Sequence, residues 1–134
     1  DGFTAIQMGY TFMLEAMEAA ESLYASYGGI GTVSTMYTWA DSTLYETEKS
    51  YNYALQTVIS GPLYSAGAAS HAYTAIGYAA SLSDSAYLAF YDTYSGDALT
   101  TEYRSDDARA TLEVAFDLLY QCYVEEYGED PDDF

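Results

Sequence analysis

Positive charge is what this chain has least of. Lys49, Arg104 and Arg109 are its only Lys or Arg residues, set against 21 Asp and Glu. Nucleic-acid binding runs on cations that displace counterions from phosphates, and three cannot build a groove. The aromatic rings likewise have no electrostatic funnel to bring bases to them. Anionic membrane surfaces are disfavoured for the same reason. Histidine is as scarce: His71 stands alone. A Ser-His-acid triad would have to use it. Ser70 is too near in sequence to serve as its nucleophile, and no G-x-S-x-G elbow occurs. Cys122, the one cysteine, rules out an intrachain disulfide framework and a cysteine-based zinc site. It lies in an apolar helical stripe and reads as inert core rather than as half of a Cys-His dyad.

Other absences narrow the field further. Di-metal bundle sites need Glu-x-x-His pairs and covalent haem needs C-x-x-C-H, and neither is present. The stretch Asp92 to Tyr103 has the length of a calcium loop, yet its twelfth position is Tyr103 rather than Glu. Gly28, Gly29 and Gly31 follow a helical pattern, not a strand, which excludes a phosphate loop. Carboxylate pairs such as Glu113 and Asp117 arise by chance in so acidic a chain and carry no specificity. No catalytic set, cofactor site or metal site is expected, only loosely gathered cations at Asp106-Asp107 and residues 125–133.

What is abundant is negative charge, −18 in all. One-signed charge repels itself and weakens the compact state, and the usual i,i+4 Lys or Arg partners are missing. The Debye length is about 8 Å in ordinary saline and about 3 Å at 1 M salt, so strong salt removes most of the repulsion. Mild acid does so too, because crowded carboxylates neutralise early. In this respect the composition resembles that of proteins from salt-loving microbes and their viruses. Bound divalent cations or a basic partner would meet the same need. The chain begins at Asp1 rather than Met, as expected where an initiator or leader has been removed, which tilts the expected location towards the extracellular or virion-associated.

Half of the 134 residues are apolar and 17% aromatic, ample for a core in one domain. Ile6, Tyr10, Met13, Met17, Ala20 and Tyr24 are spaced as one face of a helix from about Thr4 to Tyr27. Tyr37, Ala40, Leu44, Thr47, Tyr51, Ala54 and Val58 predict a second helix over about Val33 to Ile59, close to a heptad seam and ended by Gly61-Pro62. A third is expected over Leu63 to Leu82 and a short fourth from a Ser83 cap to about Tyr94. Residues 96–101 read as a loop. Ser105-Asp106-Asp107 then predicts the start of a last helix presenting Leu112, Phe116, Leu119 and Tyr123 and stopped by Gly128. The expected fold is all-α: a small helical bundle of four to five helices over residues 1–128, with an acidic C-terminal tail over 129–134.

Two features bear on function. Residues 50–83 contain no Asp, Glu, Lys or Arg. That is long enough to span a membrane, but Gly61-Pro62 interrupts it and Ala, Ser, Gly and Tyr fill it, so no membrane span is expected. There are also 17 tyrosines against five Phe. A purely buried ring does better without a hydroxyl; Tyr suits places where a ring is covered and its tip meets water or a neighbour, as at interfaces. Tyr51, Tyr64, His71, Tyr73, Ile76 and Tyr78 are therefore the expected interface residues. The expected function is non-enzymatic: a structural subunit that self-associates with its own copies or other subunits in a virion, extracellular filament or surface assembly. The alternative is an acidic binding module for a basic or cation-bridged partner.

Overall fold

The computed structural model describes residues 1–127. Four long helices make up nearly all of it: α1 (Gly2–Tyr27), α2 (Gly31–Ser60), α3 (Ser65–Thr93) and α4 (Gly96–Tyr127). At 1.5 Å per residue they are rods of about 40–48 Å. Each packs against its sequence neighbours, and α4 closes back on α1. The result is an antiparallel up-down-up-down square. Its two ends differ. At the base, the start of α1 and the end of α4 meet the α2–α3 turn; at the top lie the other two turns. The expected acidic tail, residues 129–134, lies outside the described residues.

The turns explain where the helices stop. Gly61 takes φ 98°, a conformation that favours glycine, and its N–H donates to the Thr57 carbonyl at 3.0 Å. Pro62 then opens a single 3-10 turn, Pro62–Tyr64, whose first residue needs no donor. The α3–α4 turn is tighter still. Tyr94 adopts the left-handed conformation at φ 52°, and the Ser95 hydroxyl accepts the Asp97 N–H at 3.2 Å. Two boundaries expected from sequence are thereby corrected. Ser83 does not cap a fourth helix, because α3 runs unbroken through it to Thr93. Residues 96–101 are not a loop and Ser105 is not a helix start: Ser95 supplies the cap, and α4 begins at Gly96.

The core has a strict heptad order. Buried positions alternate three and four residues apart on every helix: Ile6, Gly9, Met13, Ala16, Ala20 and Leu23 on α1, and Val33, Met36, Ala40, Thr43, Thr47, Ser50 and Ala54 on α2. On α3 the seam is Ser65, Ala68, Ala72, Ala75, Ala79, Leu82, Ala86 and Ala89, and on α4 it runs from Ala98 through Ser105 and Leu112 to Leu119. These are the a and d positions of a left-handed coiled packing. The bulky positions picked out by spacing alone, Tyr37, Leu44 and Tyr51, sit one residue beyond this seam.

A seam so rich in Ala brings helices close together. Gly9 shows the tightness, since a Cβ there would meet the Leu112 side chain at 3.2 Å. Close approach lets short hydroxyls reach across: Ser50 Oγ donates to the Ala68 carbonyl at 2.6 Å and Ser105 Oγ to the Ala79 carbonyl at 3.0 Å. Thr43 and Thr47 donate back to the carbonyls of Trp39 and Thr43, both at 2.7 Å. These hydroxyls sit at different heights: Ser105 lies between Ala98 and Ala108 of the upper apolar cluster around Met13, Met36 and Leu82, whereas Thr43, Thr47 and Ser50 separate Ala40 of that cluster from Ala54 of the lower one around Ile6, Leu112 and Leu119. Among the described residues no buried side-chain polar atom lacks a partner. The packing leaves no room for growth. Ala79→Leu is expected to cost about 1–3 kcal/mol by overpacking, read as a lower urea midpoint with unchanged m-value.

Candidate functional site: helix edges and an uncharged corner

Rings displaced from an alanine seam must go to its flanks, and the register says which flank faces which helix. On α2, Thr32, Trp39, Glu46 and Tyr53 recur every seven residues and meet α3. Thr32 Oγ1 donates to Asp92 at 2.7 Å, Trp39 lies 5.6 Å from the Tyr78 ring, Glu46 meets His71 Nδ1 at 3.0 Å, and Tyr53 stacks on His71 at 5.4 Å. The opposite flank of α2 meets α1, with Tyr37 on Tyr24 at 4.5 Å and Tyr51 between Tyr10 (5.1 Å) and Phe3 (5.8 Å). Tyr73 of α3 leans on Phe116 of α4 at 5.5 Å. The α1–α4 edge is polar instead, with Ser22 Oγ donating to Asp97 at 2.9 Å and Arg104 bonded to Glu15 at 3.2 Å.

The six expected interface residues are thus spread over several faces. Tyr64, His71 and Tyr78 share one flank of α3 and are half-buried against α2. Tyr51 is half-buried against α1, and Ile76 is half-buried against the lower apolar cluster. Tyr73 alone stands out, at 62% exposure. The uncharged segment presents other apolar side chains that spacing did not single out: Val58 at 62%, Ile59 at 70% and Leu63 at 61% exposure, all at the α2–α3 corner of the base. The usable signal was their position, immediately before and after the helix-ending Gly61-Pro62, where a side chain has no following turn to lie under. Beside this corner, Phe3, Leu118 and half-buried Cys122 line a shallow groove rimmed by Asp1 and Glu125.

The three cations are already engaged. Arg104 pairs with Glu15 and Asp107, Arg109 with Glu113 at 3.7 Å, and Lys49 lies 5.0 Å from the Tyr45 ring centre. Among the described residues most carboxylates therefore have no Lys or Arg partner. No three His, Cys, Asp or Glu side chains are placed to hold a metal ion among the described residues. Nor is any described helix long and apolar enough to cross a membrane. His71 and Cys122 lie at different edges, the first against α2 and the second in the basal groove. Comparison with family models, curated proteins and solved structures finds no match for this chain.

Crowding is felt at Glu102. Burial pushes its carboxyl pKa up, and Asp106 one turn on and Asp84 on α3 add to the shift. A carboxyl raised in the folded state binds more protons folded than unfolded between the two pKa values. Its cost to folding is full above the folded value and fades as pH falls through that window. Glu102→Gln is expected to stabilise the protein by about 0.5 kcal/mol at pH 7, the size of one like-charge i,i+4 pair. In melting curves against pH, that gain should disappear by about pH 4, where the unfolded carboxyl also protonates.

Proposed function

We propose that this chain is a non-enzymatic structural subunit that assembles with copies of itself in a high-salt setting, as part of a virion, an extracellular filament or a surface assembly. The observation that supports this most is where exposed apolar surface and missing charge coincide. Val58, Ile59, Leu63 and Tyr73 are each more than 60% exposed, and all four belong to the segment with no charged residue. Scattered exposed hydrophobics need no explanation, but three aliphatics at one uncharged corner do. Exposed apolar side chains elsewhere, such as Leu14, Leu88 and Val114, share their helices with carboxylates, whose like charge keeps single copies apart at low salt. Screening shortens the reach of that repulsion and leaves the uncharged surfaces free to meet.

A second reading, an acidic module for a basic or cation-bridged partner, draws on the groove between α1 and α4, where Glu15, Glu18 and Asp97 surround the single cation Arg104. Sedimentation from about 0.1 M to about 3 M NaCl separates the two. Assembly is expected to grow with salt, to weaken on Ile59→Asp or Leu63→Asp, and to be accompanied by a rising melting temperature. A particle that stays monomeric across the series, yet captures a basic protein at low salt only, would replace the first reading with the second.

A further inference from the structure

Among the described residues three glycines lie beyond the first residue of a helix, and two of them have a reason within the chain. Gly9 lets Leu112 close in, and Gly67 lets the Tyr53 ring lie flat on the α3 backbone, where a Cβ would meet that ring at 2.8 Å. Gly77 has none. It is exposed in the middle of α3, and a Cβ built on it meets nothing within 4 Å. Glycine there costs the helix roughly 1 kcal/mol relative to alanine, with no compensating contact in the monomer. One turn earlier on the same ridge stands Tyr73, the exposed ring of the uncharged part of α3, with one edge against Phe116 of α4 and 62% of its surface open. A helical side chain leans towards the N-terminus, so the Tyr73 ring points away from Gly77 and leaves it as an open notch. Knob and notch are thus neighbours, about 6 Å apart along the axis.

We infer that α3 packs antiparallel on α3 of a second copy about a two-fold axis at the level of residue 75, with Tyr73 of each copy seated on Gly77 of the other. This rests on the self-association proposed above and names its contact. A two-fold pairing brings residue i to j and j to i, which a knob beside its own notch satisfies twice over. The chemistry has a precedent inside the chain, since Tyr53 on Gly67 is a ring seated on a helical glycine across an antiparallel edge. Charge selects a second copy as the occupant. From Ser65 to Ser83 the helix carries no charge, so two such faces meet without opposing carboxylates. A basic partner gains nothing from that face and is drawn to the carboxylates elsewhere.

The test compares Gly77→Ala, Gly77→Leu, Tyr73→Ala and Tyr73→Phe with the unmodified chain, by sedimentation at about 3 M NaCl and by thermal melting. Gly77→Ala should melt higher, because the helix gains and no contact in the monomer is lost, and yet associate about tenfold more weakly or worse, a shift readily resolved in Kd. Gly77→Leu and Tyr73→Ala should weaken association at least as much, while Tyr73→Phe keeps it. Opposite movements of stability and association are not produced by a general folding defect. Should the unmodified chain assemble and the Gly77 variants assemble equally well, the α3 contact is wrong while self-association stands. A chain monomeric at every salt concentration removes both.

Discussion

The distance between helix axes governs this molecule. Seam positions on α3 are almost all alanine, so its neighbours can approach until short side chains on α2 and α4 touch its backbone. The cross-helix bonds from Ser50 to the Ala68 carbonyl and from Ser105 to the Ala79 carbonyl exist only at that separation. Their geometry fixes register as well, because a hydroxyl at bonding distance from one carbonyl is not at bonding distance from the next turn's. Ser50 and Ser105 therefore tie α2 and α4 to α3 at two separate heights, Ala68 and Ala79, where a purely apolar seam would allow the helices to slide. Closeness also leaves no room for rings at the centre. The tyrosines move to the edges, where their faces stack and their hydroxyls reach outward.

Such a core is thin in apolar gain. A buried alanine methyl contributes about 0.8 kcal/mol, against about 1.5–3 kcal/mol for a leucine or valine side chain. The stacked edge rings make up part of the difference, at about 0.5–1.5 kcal/mol for each pair. Against this stands the repulsion of a net charge of −18, answered among the described residues by a few arginine–carboxylate pairs on exposed side chains. Ion pairs of that kind stabilise by about 1 kcal/mol at most. Screening would thus act on a fold whose favourable terms are individually small, so the alanine seam and the net charge together underlie the salt dependence proposed above.

Much of the fold was legible in the residues, and the errors have one physical source. Gly61-Pro62 and the glycines at 28 and 29 mark real turns, and α1, α2 and the start of α3 follow from them. The seam, however, was sought in large residues, and here large residues flank it. Tyr37, Leu44 and Tyr51 give nearly the right period one position out, while Met36, Thr43 and Ser50 hold the centre. The same bias split α3 and shortened α4. Ser83 and Ser105 look like caps because serine caps helices in isolation, and Ser105 is instead a seam residue bonding to the next helix. For the candidate site, the uncharged segment was visible at once. Which of its side chains face another helix and which face outward depends on a one-residue choice of register, and that choice was set by alanines.

The register also decides what surface remains for a partner. Tyr64, His71 and Tyr78 already meet α2, so an arriving copy finds their ring faces occupied and only their rims available. The most exposed apolar side chains of the uncharged segment fall in two places, the flank of α3 at Tyr73 beside Gly77 and the basal corner of Val58, Ile59 and Leu63. These differ in kind. A two-fold contact on the flank closes a pair and ends there, whereas continued growth needs a second contact that does not coincide with the first. The corner lies at the end of a rod about 45 Å long, so a contact there would extend along the axis while the flank contact joins rods side by side. One uncharged segment folded back at Gly61-Pro62 thus supplies exposed apolar side chains both at an end and on a side of the bundle, the two contacts that the proposed extended assembly would need.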